Sequence, residues 1–260
     1  GDVTVLVTGK TGIGISGASG NGIEATGVTG NVTVGTSVSR IVADTKGGQN
    51  GIIATGGSDV AVYTGAASVT GTAGAGISAT QNSSATDADS DTVTVNALDT
   101  AIKGTVGVNA VNAGGDAGDS VTVTMLGTTA IEATDGDGIY AESVNGNVVI
   151  DTLNTIKSAS PTALDGNGIE VLVTGAGDVH VNGTAAITAG AQFGNGMTIL
   201  ASGSGDADIY VGDTGGGYAG AIVVSTGAGI KAWASGAGEI NIKTTAATTI
   251  NGTTRLTFGI

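Results

Sequence analysis

A four-residue pattern, polar then β-branched, variable and again apolar, recurs along the whole chain. It reads DVTV at Asp2–Val5, NVTV at Asn31–Val34, DVAV at Asp59–Val62, TVTV at Thr92–Val95 and SVTV at Ser120–Val123. It continues as NVVI at Asn147–Ile150, DVHV at Asp178–Val181, DIYV at Asp208–Val211 and EINI at Glu239–Ile242. The spacing is about 30 residues, a solenoid period. Two other marks keep the same beat. A Gly–apolar step falls at Gly22-Ile23, Gly51-Ile52, Gly76-Ile77, Gly107-Val108, Gly138-Ile139, Gly168-Ile169, Gly196-Met197 and Gly229-Ile230. A third apolar mark falls at Ile13, Ile41, Val69, Ile102, Ile131, Ile156, Ile187, Ile222 and Ile250.

Three short extended segments per repeat, parted by Gly, Asn, Asp, Ser and Thr, predict an all-β, parallel, three-faced β-solenoid of about nine turns. By analogy with other parallel β connections the coil is expected to be right-handed. Successive side chains leave opposite faces of a strand, so the two valines of each Val-x-Val point inward and the residue between them outward. One expected inward column is Val3, Val32, Val60, Val93, Val121, Val148, Val179, Ile209 and Ile240. The outward column beside it is Thr4, Thr33, Ala61, Thr94, Thr122, Val149, His180, Tyr210 and Asn241. Glycines are expected at the corners, where positive φ is needed and a Cβ would clash. The longest corners, Gln81–Asp91 and Asn109–Asp119, read as surface bulges. No linker interrupts residues 1–260, which read as one solenoid domain, either part of a longer solenoid or a subunit that stacks.

Composition narrows the function classes. Among 260 residues there are 49 Gly, one Pro and no Cys, and the formal charge is −14. That charge disfavours nucleic acid and anionic membranes as partners. The missing cysteine removes disulfides, zinc–thiolate sites, iron–sulfur clusters and thiol catalysis. No stretch approaches the ~18 apolar residues of a membrane helix, so no membrane insertion is expected of this segment. The Gly-x-Gly sequences, such as Gly12-Ile13-Gly14, precede no helix that could receive a phosphate.

The segments GNVTV, GNGIEATG, DGDGIYAESVNGNVVIDT and GNGIEVLVTGAGDVHV resemble the passenger solenoids of bacterial autotransporters and related surface adhesins. The resemblance spans essentially the whole chain and concerns architecture rather than activity. It implies a secreted, right-handed β-helix displayed at the bacterial cell surface. The signal peptide and C-terminal membrane barrel of that family have no counterpart within these residues.

Catalytic motifs are sparse. The one histidine, His180, sits on the outward column, where a general base would need Asp178 or Asp208 as a partner. We read it as a solvated imidazole on a rod face. A polysaccharide lyase or hydrolase on the same fold would use clustered carboxylates, and Asp178, Asp208 and Glu239 should stand about 4.8 Å apart on consecutive turns. The basic residues nearest by sequence position are Lys231, Lys243 and Arg255; the aromatic residues available to stack on sugars are Tyr63, Tyr140, Tyr210, Tyr218 and Trp233. Asp87, Asp89 and Asp91 have the alternate spacing of a calcium loop and form a candidate for structural calcium. Thr92 and Leu98 stand where an EF-hand needs Gly and Glu. Threonine columns of the kind that bind ice break at Ala61, Val149, His180 and Tyr210.

The expectation is therefore a non-enzymatic extracellular rod: an adhesin shaft, a stalk or a filament subunit. The first strand offers Val3 and Val5, and the last turn Phe258 and Ile260, as apolar residues for end-to-end self-association or for contact with neighbouring solenoid turns. An adhesin would also meet a host or matrix surface. Apart from the calcium candidate, no cofactor is expected.

Overall fold

In a computed structural model, residues 1–7, 14–82, 90–158, 166–190, 194–203, 208–212, 217–225, 227–235, 238–245, 248–251 and 255–256 are described. Among them there is no helix. Three nine-stranded sheets, all with parallel pairing, make a parallel β-solenoid. Each strand pairs with the strand three elements earlier and three later, so the chain visits the three sheets in rotation.

Sheet I contains Val3–Val5, Val32–Val34, Val60–Gly65, Thr92–Leu98, Ser120–Leu126, Asn147–Thr152, Val179–Gly183, Ile209–Val211 and Ile240–Ile242. Its register stacks Val3 on Val32, Val60, Val93, Val121, Val148, Val179, Ile209 and Ile240, the expected inward column. From Val32 to Ile209 every member is fully buried. A register slip by one residue would turn this whole set outward, so the alternation pins the pairing.

Sheet III runs from Ile23–Thr26 through Ile77–Gln81, Ile139–Ser143 and Met197–Ala201 to Arg255–Leu256. The apolar residue of each Gly–apolar step forms its first inward column, Ile23 to Ile230. The glycines before them are needed for close approach. A Cβ on Gly107 would lie 2.5 Å from Cγ2 of Ile131, and one on Gly51 2.7 Å from Cγ1 of Val69 and 2.6 Å from the carbonyl oxygen of Gly76. None of these step glycines has positive φ; the described glycines that do are Gly35, Gly127, Gly183, Gly212 and Gly217. Of the two reasons expected for corner glycines, the Cβ clash holds at this step, through crowding by the adjacent turn, and positive φ holds at other corners such as Gly35 and Gly127.

Sheet II stacks Ile15, Thr45, Val69, Ile102, Ile131, Ile156, Ile187, Ile222 and Ile250. From Val69 onward this is the third apolar mark. Earlier it is not: Ile13 lies outside the described residues, and Ile41 bridges Thr64 beyond the end of a sheet I strand. The inward place goes to Thr45, whose buried hydroxyl donates to the Ala43 carbonyl at 3.0 Å. That local bond makes a threonine tolerable in the core.

The corner expected over Asn109–Asp119 is shorter than its sequence suggests. Val108–Asn112 is a strand of sheet III, with Asn109 outward over Ser78 and below Tyr140. Asn109 and Val111 alternate with buried Ala110 and Asn112, and that strand periodicity overrides the turn-forming character of asparagine. Residues 83–89 of the other long corner lie outside the described residues.

Candidate functional site

The polar residue that opens most of the Val-x-Val segments is a rung of a hydrogen-bonded ladder. Asp2 Oδ1 accepts from the Asn31 amide, and Asn31 Oδ1 from the Asp59 amide. Further along, Asn147 Oδ1 accepts from Asp178 N at 2.8 Å, Asp178 Oδ1 from Asp208 N at 2.9 Å and Asp208 Oδ1 from Glu239 N at 2.6 Å. A second ladder marks the corner before sheet III. Asn21 Oδ1 accepts from both nitrogens of Asn50, Asn50 Oδ1 from Ala75 N, Asn167 Oδ1 from Asn195 and Asn195 Oδ1 from Ala228 N. These side chains satisfy amides that a corner would otherwise leave unpaired.

Asp178, Asp208 and Glu239 therefore stand on consecutive turns, as expected, and two of them hold the next turn's backbone. The second oxygen of Asp208 accepts from the Tyr210 hydroxyl at 2.9 Å, and this bond holds the phenol above its ordinary pKa. The His180 ring lies on the Tyr210 ring, with centroids 4.9 Å apart and planes at 19°. Lys231 is not beside these acids: it lies on sheet III, next to Arg255.

The aromatic residues are dispersed. Tyr218 is in the core, its hydroxyl donating to the Ala185 carbonyl, and burial raises its pKa. Tyr63 lies on sheet I, where the Arg40 guanidinium sits 5.9 Å from its ring centroid. Tyr140, on sheet III, donates to Glu142 at 2.6 Å; desolvation first, then that bond, raises its pKa. Trp233, also on sheet III, follows Leu172 and Leu200 in one column.

Of the calcium candidates, Asp87 and Asp89 lie outside the described residues. Asp91 is buried, and both its oxygens accept hydrogen bonds, from Ser58 Oγ at 2.7 Å and Gln81 Nε2 at 2.9 Å. Its amide donates to Asp119 Oδ1, so this carboxylate ties the corner together. Among the described residues no group of three or more His, Asp or Glu side chains is placed to hold a metal ion. Val3 and Val5 face inward and are half-buried in the first strand of sheet I; Phe258 and Ile260 lie outside the described residues.

One feature of the surface went unread in the sequence. The outward column of sheet II runs Lys46, Thr70, Lys103, Glu132 and Lys157 on successive turns. Glu132 holds Lys103 at 3.7 Å and Lys157 at 3.5 Å, with all three side chains well exposed. At Lys103 lies an open recess of about 260 Å³, lined also by Ser68, Thr70, Ala101, Ile102, Ala130 and Glu132. Compared with family models, with curated proteins and with solved structures, the chain matches none.

Proposed function

We propose that this chain is a non-enzymatic structural rod of a bacterial cell surface: a shaft, stalk or filament subunit built as one right-handed solenoid of about nine turns. The observation that carries the reading is the unbroken in-register column of buried aliphatic residues from Val32 to Ile209. Each turn protects its neighbours, so such a stack holds reach and shape cheaply. Of the carboxylates that a hydrolase would need, those of Asp178 and Asp208 are employed on backbone amides and on Tyr210. Exposed apolar groups at a free end of the stack would favour end-to-end pairing.

Electron microscopy of the native material, beside a variant carrying a proline-containing charged cap after Ile260, tests the stacking. Unmodified protein should give long rods and the capped variant single ones; equal lengths in both preparations would defeat it. Release of new chain ends from an acidic polysaccharide, abolished by Asp208→Asn, would overturn the non-enzymatic reading.

A further inference from the structure

We propose that the sheet II face binds a linear acidic glycan, a chain of carboxylate-bearing sugars laid along the rod axis with one sugar seated beside Lys103. The proposal rests on the surface-rod reading and gives that rod a partner chemistry. Lys46, Lys103 and Lys157 occupy alternate turns of one outward column. With parallel strands about 4.8 Å apart, they present a cation roughly every 9–10 Å along the axis. These are three of the eight basic residues of a chain whose formal charge is −14. An anionic polymer repelled by the acidic remainder of the surface meets attraction along this line.

The recess supplies what a bare row of lysines lacks. Ala101 and Ala130, outward-facing in its lining, offer small methyl groups on which the apolar face of a sugar ring can lie. The same lining offers an ammonium for a carboxylate at Lys103, a hydroxyl at Thr70 and an acceptor for sugar hydroxyls at Glu132. A partly apolar lining with a few polar groups is the usual composition of a small-ligand site. Glu132 lies between Lys103 and Lys157 at 3.7 and 3.5 Å, exposed and therefore weak contacts that a ligand carboxylate has to displace. Single-stranded nucleic acid is the less suitable polyanion, because it is gripped through base stacking on aromatic rings. None of the five column residues is aromatic.

The test is calorimetric titration of the whole chain with oligogalacturonate, its fully methyl-esterified form and a single-stranded DNA of matched charge. Oligogalacturonate should bind, weaken with added salt, and weaken about tenfold or more for Lys103→Gln, the loss of one charge-assisted contact. Lys46→Gln and Lys157→Gln should weaken it less. Ala130→Leu, which fills the recess from an outward position, should abolish binding while circular dichroism stays unchanged. Absence of binding, equal binding of the ester or of DNA, or indifference to Lys103→Gln and Ala130→Leu together would overturn the proposal. Rod lengths in the microscope should be the same for every variant. Intact rods without glycan binding would sink this inference alone, and glycan cleavage would sink the structural-rod reading instead.

Discussion

The turn that starts at Val32 and the turn that starts at Val121 use the same inward valines and reach sheet II by different routes. In the later turn the sheet I strand runs unbroken over Ser120–Leu126, Gly127 turns the corner at φ +145°, and Ile131 enters the core. In the earlier turn the strand stops at Val34, and Gly35 at φ +71° lets the chain loop out with Val38 fully in solvent. Pairing then resumes at Ile41, whose amide donates to Tyr63 and whose carbonyl accepts from Gly65. Arg40 staples this excursion to the neighbouring turns, donating to the Thr64 carbonyl and to the carbonyl and Oδ1 of Asn96. The difference teaches that the stack tolerates extra residues in one turn provided the inward columns are re-entered in register.

The comparison can be broken most sharply in the core. Ile131→Ala should cost about 2–5 kcal/mol and lower the denaturant midpoint, because the pile above and below cannot close the cavity. Gly107→Ala should cost about 1–3 kcal/mol, since the new methyl meets Ile131 and the next turn's backbone. Arg40→Ala should cost about 1–2 kcal/mol. Its signature is faster amide exchange at Thr64 and Gly65 with Ile131 unaffected; equal acceleration in both turns would refute the staple. Thr45→Val should change stability by less than about 1 kcal/mol, because the shape is kept and one locally bonded hydroxyl is lost.

The two turns should also answer pH in opposite directions. Asp44, beside Thr45, accepts from the amide and hydroxyl of Ser68, and these bonds lower its pKa below 3.8. Its contribution is present above pH 3.8 and fades as pH falls through the lower folded value. Tyr140, in the later turn, is raised above 10.0 by burial and by Glu142. Its contribution is complete below pH 10.0 and is lost as pH climbs through the higher folded value. Hydrogen exchange followed at both extremes should loosen Ser68 in acid and the strand of Tyr140 in alkali; the reverse order would contradict these assignments.

Sheets I and III are legible in the sequence because their inward residues are almost always aliphatic and alternate strictly. Sheet II is less so: with Thr45 in the core, the nearest aliphatic residue, Ile41, belongs to another column. The acidic row Asp178, Asp208 and Glu239 is equally visible, yet the employment of Asp178 and Asp208 on backbone amides is not, because a capping aspartate and a reactive one look alike as letters. The lysine column is harder still. Lys103 and Lys157 each follow a third-mark isoleucine, Ile102 and Ile156, but Lys46 follows Thr45, so the full row shows only once Thr45 is placed in that inward column.

What the sequence determined by itself is the side of the strand on which each residue falls and the length of chain per turn, since both follow from local alternation and turn chemistry. Which polar side chains meet, where the extra loop of the second turn is absorbed, and that three lysines share one line were decided only by the tertiary structure. Those outcomes depend on register between turns, and register is settled by the packing of residues about thirty positions apart.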